Sequence, residues 1–182
     1  MSKSAKGKTT GVGKTLHAPW NTSWHVIRAL SGGGQGDTLL VKHLEKSLQG
    51  VLKKLKDSKA RDLKARARMN REVANLRTLG AAGARVPAFY EGNTEQFENE
   101  KEILFFVMEW VEGLTLRDHI AKAGPMDVLP AIQTALAICE TMRIAIKEGI
   151  AHRDIKPDNL VVRSLQPTEI VMLDFGLCSP TK

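Results

Sequence analysis

The part of the sequence that decides the fold is a short polar stretch, HRDIKPDN at residues 152–159, followed by the triplet DFG at residues 174–176. Asn159 offers an amide oxygen and Asp174 offers a carboxylate, which are the ligand types that Mg²⁺ prefers. Asp154 can accept the proton of a hydroxyl group, and Lys156, two residues later, can neutralise an anionic group. This combination predicts a catalytic site rather than a chance polar loop.

The two motifs resemble the catalytic loop, HRD-x4-N, and the metal-binding DFG triplet of the eukaryotic-like, or Hanks-type, Ser/Thr protein kinases. The resemblance implies an enzyme that uses ATP and Mg²⁺ to phosphorylate Ser or Thr hydroxyl groups of a protein substrate. It implies that Asp154 orients the substrate hydroxyl, that Lys156 neutralises the γ-phosphate, and that Asn159 and Asp174 bind Mg²⁺. Lysine at position 156 is typical of the Ser/Thr kinases within the family.

A lysine and a glutamate further upstream extend the resemblance. GVLK at residues 50–53 is similar to the family's VAIK strand, which implies that Lys53 contacts the α- and β-phosphates of ATP. Glu72 follows 19 positions later, like the glutamate of helix αC that forms an ion pair with this lysine. The residues alone leave alternatives open: Glu72 can pair within its own helix with Arg68 or Lys64, and the competitors of Lys53 are Lys42, Lys54 and Lys56.

A glycine cluster lies between two predicted strands, residues 24–30 and 38–41, and precedes Lys53. Aligned on the family's glycine loop, Gly33 and Gly36 match two of its three glycines, and Ser31 stands in place of the first. Glycine allows backbone amides to approach phosphate groups without a side-chain clash. The resemblance therefore implies that Gly33 and Gly36 contribute to ATP binding.

The segment FVMEWV at residues 106–111 resembles the strand that leads into the hinge between the kinase lobes. The resemblance implies that Met108 is the gatekeeper and that the backbone of Glu109 and Val111 binds adenine. It also implies that Val161 and Leu173 wall the adenine pocket. Ordinary core packing would equally explain apolar residues at these positions.

The order of the predicted elements indicates an α+β chain with the bilobal protein-kinase-like fold. We expect a flexible basic tail over residues 1–18, a small lobe with an antiparallel sheet and an αC-like helix over residues 19–112, and a partial, mainly helical large lobe over residues 113–182. In the αC-like helix, predicted over residues 58–79, the buried stripe is Met69, Val73, Leu76 and Leu79. A longer helix begins at Asp127 and ends at Gly149, with a predicted buried stripe of Leu129, Ile132, Leu136, Cys139, Met142 and Ile146.

The 182 residues end shortly after the DFG triplet, so the resemblance implies a kinase in a shortened form. The later helices of the family's large lobe do not follow, and we expect apolar surface on the long helix to be partly uncovered. This predicts marginal stability, a homodimer or partner protein that covers that face, or a natural polypeptide that continues beyond Lys182. Two alternatives to an active Ser/Thr kinase remain at this stage. One is a catalytically weak or inactive nucleotide-binding scaffold, like a pseudokinase, and the other is a small-molecule kinase.

Composition narrows the remaining classes of function. The net charge is +7, and a solvated basic helix face explains it better than nucleic-acid binding does. No uninterrupted apolar run approaches the ~20 residues of a membrane span, and no secretory signal peptide is visible. The two cysteines are expected to be reduced, and we expect a cytoplasmic protein without a membrane segment. The GVGKT segment at residues 11–15 lacks the first glycine of a Walker A loop and is interpreted as a chance match.

Overall fold

The structure is a computed structural model that describes residues 18–32, 36–175 and 179–180. Nearly all of the predicted tail, and Gly33 of the glycine cluster, lie outside these residues. The first part of the chain forms a five-stranded antiparallel sheet. Its strands are β1 (Trp24–Gly32), β2 (Gly36–His43), β3 (Gln49–Leu55), β4 (Phe89–Gly92) and β5 (Phe105–Glu109). Their order in the sheet is β1-β2-β3-β5-β4.

The alternating side chains of β5 divide the small-lobe core into two layers. Phe106 and Met108 point to one face of the sheet and pack there with Val51 of β3, against the helix that covers this face. Phe105 and Val107 pack on the opposite side of the sheet, against a cluster that includes the aromatic ring of Trp24. Successive residues of a strand point to opposite faces, so this apolar segment is buried on both of its faces.

One helix, α1 (Leu63–Ala81), covers the inner face of the sheet. The Asp62 side chain caps it by accepting hydrogen bonds from the backbone N–H groups of Lys64 and Ala65, at 3.1 Å each. A capping carboxylate satisfies donors that have no partner within the helix. The predicted helix of residues 58–79 is therefore shorter at its start, where residues 57–59 form a 3₁₀ turn. Its predicted stripe is confirmed as buried: Met69, Val73, Leu76 and Leu79.

The rest of the chain forms the partial large lobe, which consists of helices and short strands. Its helices are α2 (Leu116–Ala123) and α3 (Val128–Lys147). Its strands are β6 (Leu114–Thr115), β7 (Ile150–Ala151), β8 (Leu160–Leu165), β9 (Thr168–Met172) and β10 (Ser179–Pro180). Strands β6, β8 and β9 form one sheet, and β7 pairs with β10. The predicted α+β, bilobal fold with a partial large lobe is confirmed.

The two lobes share apolar contacts at the end of α1. Leu79, in the last turn of that helix, is fully buried and belongs to the large-lobe cluster that contains Ala145, Met172 and Phe175. The chain itself crosses between the lobes through residues 110–113. Gly113 has a φ of +132°, and a Cβ atom there would lie 2.3 Å from the carbonyl oxygen of Val162. Only glycine accommodates both the backbone conformation and this close approach.

The predicted buried face of α3 is wrong. The stripe residues Leu129, Ile132, Leu136 and Ile146 are each more than half exposed, Cys139 is exposed, and only Met142 is partly buried. The face that packs against β9 and β7 instead carries Thr134, Thr141 and Ala145. Small side chains allow the helix to lie close to the strands, and Ile138 and Ile144 pack against the same core, whereas the large aliphatic residues of the predicted stripe point outward. The expectation that this helix carries uncovered apolar surface agrees with the described residues.

Among the described residues, α3 is the one helix that is long and apolar enough to cross a membrane, judged by length and composition alone. Within its most apolar 18-residue stretch, 17% of the residues are buried. The sequence predicted no membrane span because it contains no uninterrupted apolar run of sufficient length. In α3, Glu140 and Arg143 interrupt the apolar run. One such helix is weak evidence of a membrane span, because core helices of soluble proteins pass the same test.

Candidate active site

A cleft of about 720 Å³ lies between the two lobes, which is a common size for a small-molecule site. Its walls are apolar and come from both lobes: Leu30, Val51, Met108, Val161 and Leu173. Its polar end carries Lys53 and Glu72 from the small lobe, and Asn159 and Asp174 from the large lobe. The cleft therefore combines an apolar region with a cluster of charged and amide groups.

Lys53 and Glu72 form the central ion pair of the cleft. The Nζ atom of Lys53 donates to Oε1 of Glu72 at 2.6 Å and lies 3.9 Å from Oδ1 of Asp174. Burial acts to lower the pKa of Lys53, but the carboxylates of Glu72 and Asp174 outweigh burial and raise that pKa above its ordinary value. The neighbouring Lys54 points elsewhere and pairs with Asp37 at 3.1 Å. Of the pairings that the sequence left open, the structure contains the one between Lys53 and Glu72.

The loop of residues 152–159 brings Asp154, Lys156 and Asn159 together. Oδ2 of Asp154 accepts hydrogen bonds from Nζ of Lys156 at 2.7 Å and from Nδ2 of Asn159 at 3.1 Å. Nδ2 of Asn159 also donates to the backbone carbonyl of Asp154 at 2.9 Å. The hydrogen bond from Lys156, followed by that from Asn159, lowers the pKa of Asp154. The carboxylate is therefore held ionised, in the form that can accept a hydroxyl proton.

His152 has a structural place in this loop. It is 1% exposed, and its Nδ1 accepts a hydrogen bond from the backbone N–H of Asp154 at 3.2 Å. Nε2 therefore carries the proton and lies 3.1 Å from the carbonyl oxygen of Leu173. The ring also meets Phe175 edge to face, with centroids 4.8 Å apart. His152 thus joins the loop to the segment that presents Asp174.

Two residues next to the reacting groups have left-handed backbone conformations. Arg153 has a φ of 63° and Asp174 has a φ of 60°, which are uncommon for residues other than glycine. Such conformations cost free energy and persist only where surrounding contacts impose them. Here the neighbouring backbone is fixed by a hydrogen bond of 2.7 Å from the N–H of Leu173 to the carbonyl of Asn159. Nothing in the sequence signalled either conformation.

The structure brings the predicted hinge residues to the apolar end of the cleft. Met108 is buried, and the cleft is lined by Met108, Glu109, Val111 and Val161. The backbone N–H of Glu109 already donates to the carbonyl of Ala88 at 2.8 Å. Glu109 can therefore bind a ligand through its carbonyl oxygen but not through its N–H. The predicted contact of its backbone with adenine is limited to that oxygen.

Gly36 begins β2 and lines the same cleft. A Cβ atom at Gly36 would lie 2.6 Å from the backbone carbonyl of Lys54, so no side chain fits without a shift of the backbone. Strands β1 and β2, which precede and follow the glycine cluster in the sequence, pair antiparallel, as expected. The other predicted glycine, Gly33, falls outside the described residues, and its role remains a prediction.

Three ion pairs near the site were missed by the sequence analysis. Arg163 on β8 binds the carboxylate of Glu109 in the hinge strand, and also that of Glu169 on β9 at 2.8 Å. Arg117 on α2 donates to both carboxylate oxygens of Asp158, at 2.5 and 2.6 Å. The pairing of Arg163 with Glu169 follows from neighbouring strands. The other two join distant parts of the chain, and no sequence spacing indicates them.

The oxygen donors of the cleft suit a magnesium ion that is bound together with phosphate groups. Among residues 18–32, 36–175 and 179–180, no group of three or more His, Cys, Asp or Glu side chains could hold a metal alone. Mg²⁺ commonly takes one or two protein oxygens and completes its shell with water and substrate phosphates. Asn159 and Asp174 supply that number of oxygen donors, one from each of the two motifs.

The structure combines a bilobal α+β fold with a lysine–glutamate pair that faces an Asp–Lys–Asn loop. This combination is characteristic of kinases, which are phosphotransferases. A model of the protein kinase domain family matches residues 24–182, so the chain belongs to this family and is of the Hanks type. It is 31% identical over 166 residues to serine/threonine-protein kinase C of Synechocystis sp.. It is also 31% identical over 149 residues to PknB of Mycobacterium tuberculosis, and 27% identical over 156 residues to PrkC of Bacillus subtilis.

The alignments cover most of this chain but a minor part of its relatives. They include 88% of the chain for the Synechocystis protein, 81% for PknB and 86% for PrkC. They span 30% of the Synechocystis protein's length and 23% of the length of each of the other two.

Proposed function

We propose that this chain binds ATP with Mg²⁺ in the interlobe cleft and transfers the γ-phosphoryl group to Ser or Thr hydroxyl groups of a protein. The observation that carries the proposal is the convergence of Lys53, Glu72, Asn159 and Asp174 on one end of the cleft, where Asn159 is hydrogen-bonded to Asp154. The names of the relatives, serine/threonine-protein kinases, support the choice of hydroxyl group. Bound Mg²⁺ and ATP would supply the charge neutralisation and the transferable phosphoryl group.

Each residue has a physical role in this proposal. Lys53, kept protonated and oriented by Glu72, binds phosphate oxygens. Asn159 and Asp174 hold the metal through their oxygens, and the apolar walls bind the adenine ring. Asp154 is ionised, so it can accept a hydrogen bond from the attacking hydroxyl and align its oxygen with the phosphorus atom. Lys156 lies beside Asp154 and offers its charge where negative charge develops on the transferred group.

Radiolabelled ATP and a set of Ser/Thr peptides, compared with a matched Tyr set, provide the test. We expect the Ser/Thr set to be labelled. The Asp154→Asn variant should lose on the order of 10²–10⁴-fold in rate, the usual contribution of a positioned proton acceptor. Its thermal stabilisation by ATP with Mg²⁺ should remain, because Asp154 is not among the residues proposed to bind ATP.

Asp57→Asn is the matched control, because it makes the same chemical change in an exposed turn of the small lobe. It should retain the wild-type rate. Equal labelling by wild-type protein and Asp154→Asn would contradict the role of Asp154. Labelling of a small hydroxylated metabolite in preference to every peptide would instead identify a small-molecule kinase.

A second candidate function is nucleotide binding without transfer, as in a pseudokinase-like scaffold. The exposed apolar stripe of α3 favours it, because an uncovered apolar face is a surface to which another protein can bind. This function predicts thermal stabilisation by ATP with Mg²⁺ and no labelling of any substrate. Measurable phosphorylation that depends on Asp154 would exclude it.

A further inference from the structure

A buried arginine on α1 is satisfied entirely by backbone carbonyl groups. Arg66 is 0% exposed, and its Nε donates to the carbonyl of Phe97 at 2.6 Å. Its two terminal nitrogens donate to four further carbonyls: Ala60 and Glu102 at 3.0 Å each, Gln96 at 3.1 Å and Asn99 at 2.6 Å. A guanidinium group has five N–H donors, so every donor of Arg66 is used.

The acceptors show what this arginine holds together. Ala60 belongs to the turn that leads into α1, and the other four carbonyls belong to residues 96–102, the connection from β4 to β5. Asn93 braces the same connection: its Nδ2 donates to the carbonyl of Ile103 at 3.0 Å, and its Oδ1 accepts from the N–H of Phe105 at 2.9 Å. Arg66 therefore fastens α1 to the connection that feeds directly into β5.

The position of Arg66 relative to Glu72 gives the arrangement a functional meaning. Glu72 lies six residues later on the same helix, which is about 9 Å along the helix axis, and it faces a different direction. A helix moves largely as one body, so a change in the rotation of α1 at Arg66 displaces the Glu72 carboxylate. The carboxylate has little tolerance for displacement, because its bond to Lys53 is 2.6 Å long.

We propose that Arg66 is a positioning residue: its five bonds to backbone carbonyls fix the rotation of α1 and thereby hold Glu72 against Lys53. This inference rests on the proposed function of that ion pair. Arg66 touches neither Lys53 nor the cleft, so it acts through Glu72 alone. Carbonyl acceptors suit this purpose because they belong to the backbone and do not depend on the rotamer of a partner side chain.

The test compares Arg66→Lys with the wild-type chain, because lysine keeps the positive charge but has three donors in place of five. The readout is acetylation of Lys53 by an amine-reactive reagent, followed by mass spectrometry of its peptide and measured without ATP. An ammonium group bonded to a carboxylate in a partly buried site reacts slowly, and release from Glu72 speeds the reaction. Glu72→Gln provides the reference for a released lysine.

We expect Lys53 to be acetylated several-fold faster in Glu72→Gln and in Arg66→Lys than in the wild-type chain. The double variant should be no faster than Glu72→Gln alone, because both changes act through one ion pair and their effects do not add. Arg71→Lys is the matched control, since Arg71 is exposed on the same helix next to Glu72. It should react at the wild-type rate.

A folded Arg66→Lys variant that is acetylated at the wild-type rate would overturn the proposal. A double variant whose acceleration is the product of the two single accelerations would also overturn it, because Arg66 would then act independently of Glu72. If Arg66→Lys unfolds below the assay temperature, Asn93→Ala takes its place, since it loosens the same connection; an unchanged rate there counts against the proposal. The readout needs no nucleotide, so failure of ATP binding would remove the proposed function without deciding the role of Arg66.

Discussion

At the scale of single residues, the site depends on which groups hold their charge. Asp154 is ionised because Lys156 and Asn159 donate hydrogen bonds to it, and these bonds lower its pKa. A carboxyl group with a lowered pKa stabilises the folded state at pH values above its unfolded pKa. That contribution is lost as the pH falls through the lower, folded pKa. The ionised form of Asp154 therefore persists to a more acidic pH than it would for an isolated aspartate.

Removal of the Lys156 ammonium should reverse this effect. In Lys156→Met the largest cause of the shift is absent, so the pKa of Asp154 should rise towards or above its ordinary value. Carbon-13 NMR of the labelled Asp154 carboxyl group, followed as a function of pH, measures this directly. Lys59→Met is the control, because Lys59 pairs with Asp62 outside the cleft and should leave the Asp154 titration unchanged. An unchanged titration in Lys156→Met would show that Asn159 alone sets the pKa.

At the scale of elements, α1 links the site to both cores. Its stripe packs against β3 and β5, and its last buried residue, Leu79, packs into the large-lobe cluster. We expect Leu79→Ala to lower the free energy of unfolding by about 2–5 kcal/mol, because it leaves a cavity at a fully buried position. Urea denaturation followed by circular dichroism measures the loss.

Leu63→Ala makes the same change at the first residue of the same helix, where the side chain is 51% exposed. It should alter the free energy of unfolding by about 0.5 kcal/mol or less. A similar loss in the two variants would mean that burial at Leu79 does not govern the stability of α1.

At the scale of the whole molecule, the outward face of α3 is the main departure from an ordinary soluble surface. Its apolar residues recur at spacings of three and four and lie on the face away from β9. A Leu136→Glu substitution should change the free energy of unfolding by about 0.5 kcal/mol or less, because the side chain is 63% exposed. It should also raise the protein concentration at which light scattering first detects association.

Ala145→Glu is the matched variant on the inward face, where Ala145 is fully buried, and it should unfold the large lobe. A large loss of stability in Leu136→Glu would contradict the orientation of α3. It would show that the stripe is packed against protein in solution.

Much of the fold and of the candidate site follows from the sequence, because the spacing of motif residues can be recognised without knowledge of tertiary packing. The interval between Lys53 and Glu72 predicted an ion pair that is present, and the stripe of α1 predicted its buried face. The inward face of α3 was not predictable from periodicity, since small residues such as Thr134 and Ala145 give a weaker pattern than the leucines opposite.

The polar contacts that brace the site were also beyond the sequence. Arg66 resembles any other basic residue of a charged helix, and its burial depends on a connection more than 30 positions away. Arg163 and Glu109 are 54 positions apart and meet because the hinge strand passes β8. The residues of such pairs are far apart in the sequence, so no local pattern indicates them. Only the folded structure shows that they are in contact.

The contacts of Glu109 limit how far the cleft between the two lobes can open. Its carboxylate is bound to Arg163 of the large lobe and accepts the N–H of Ala88 at 3.1 Å, while its own N–H is bonded to the carbonyl of Ala88. Glu109 thus joins the two lobes, because its backbone belongs to the small-lobe sheet and its carboxylate is paired with the large lobe. Rotation of one lobe against the other about residues 110–113 lengthens or breaks the ion pair with Arg163, so this pair limits how far the cleft can open.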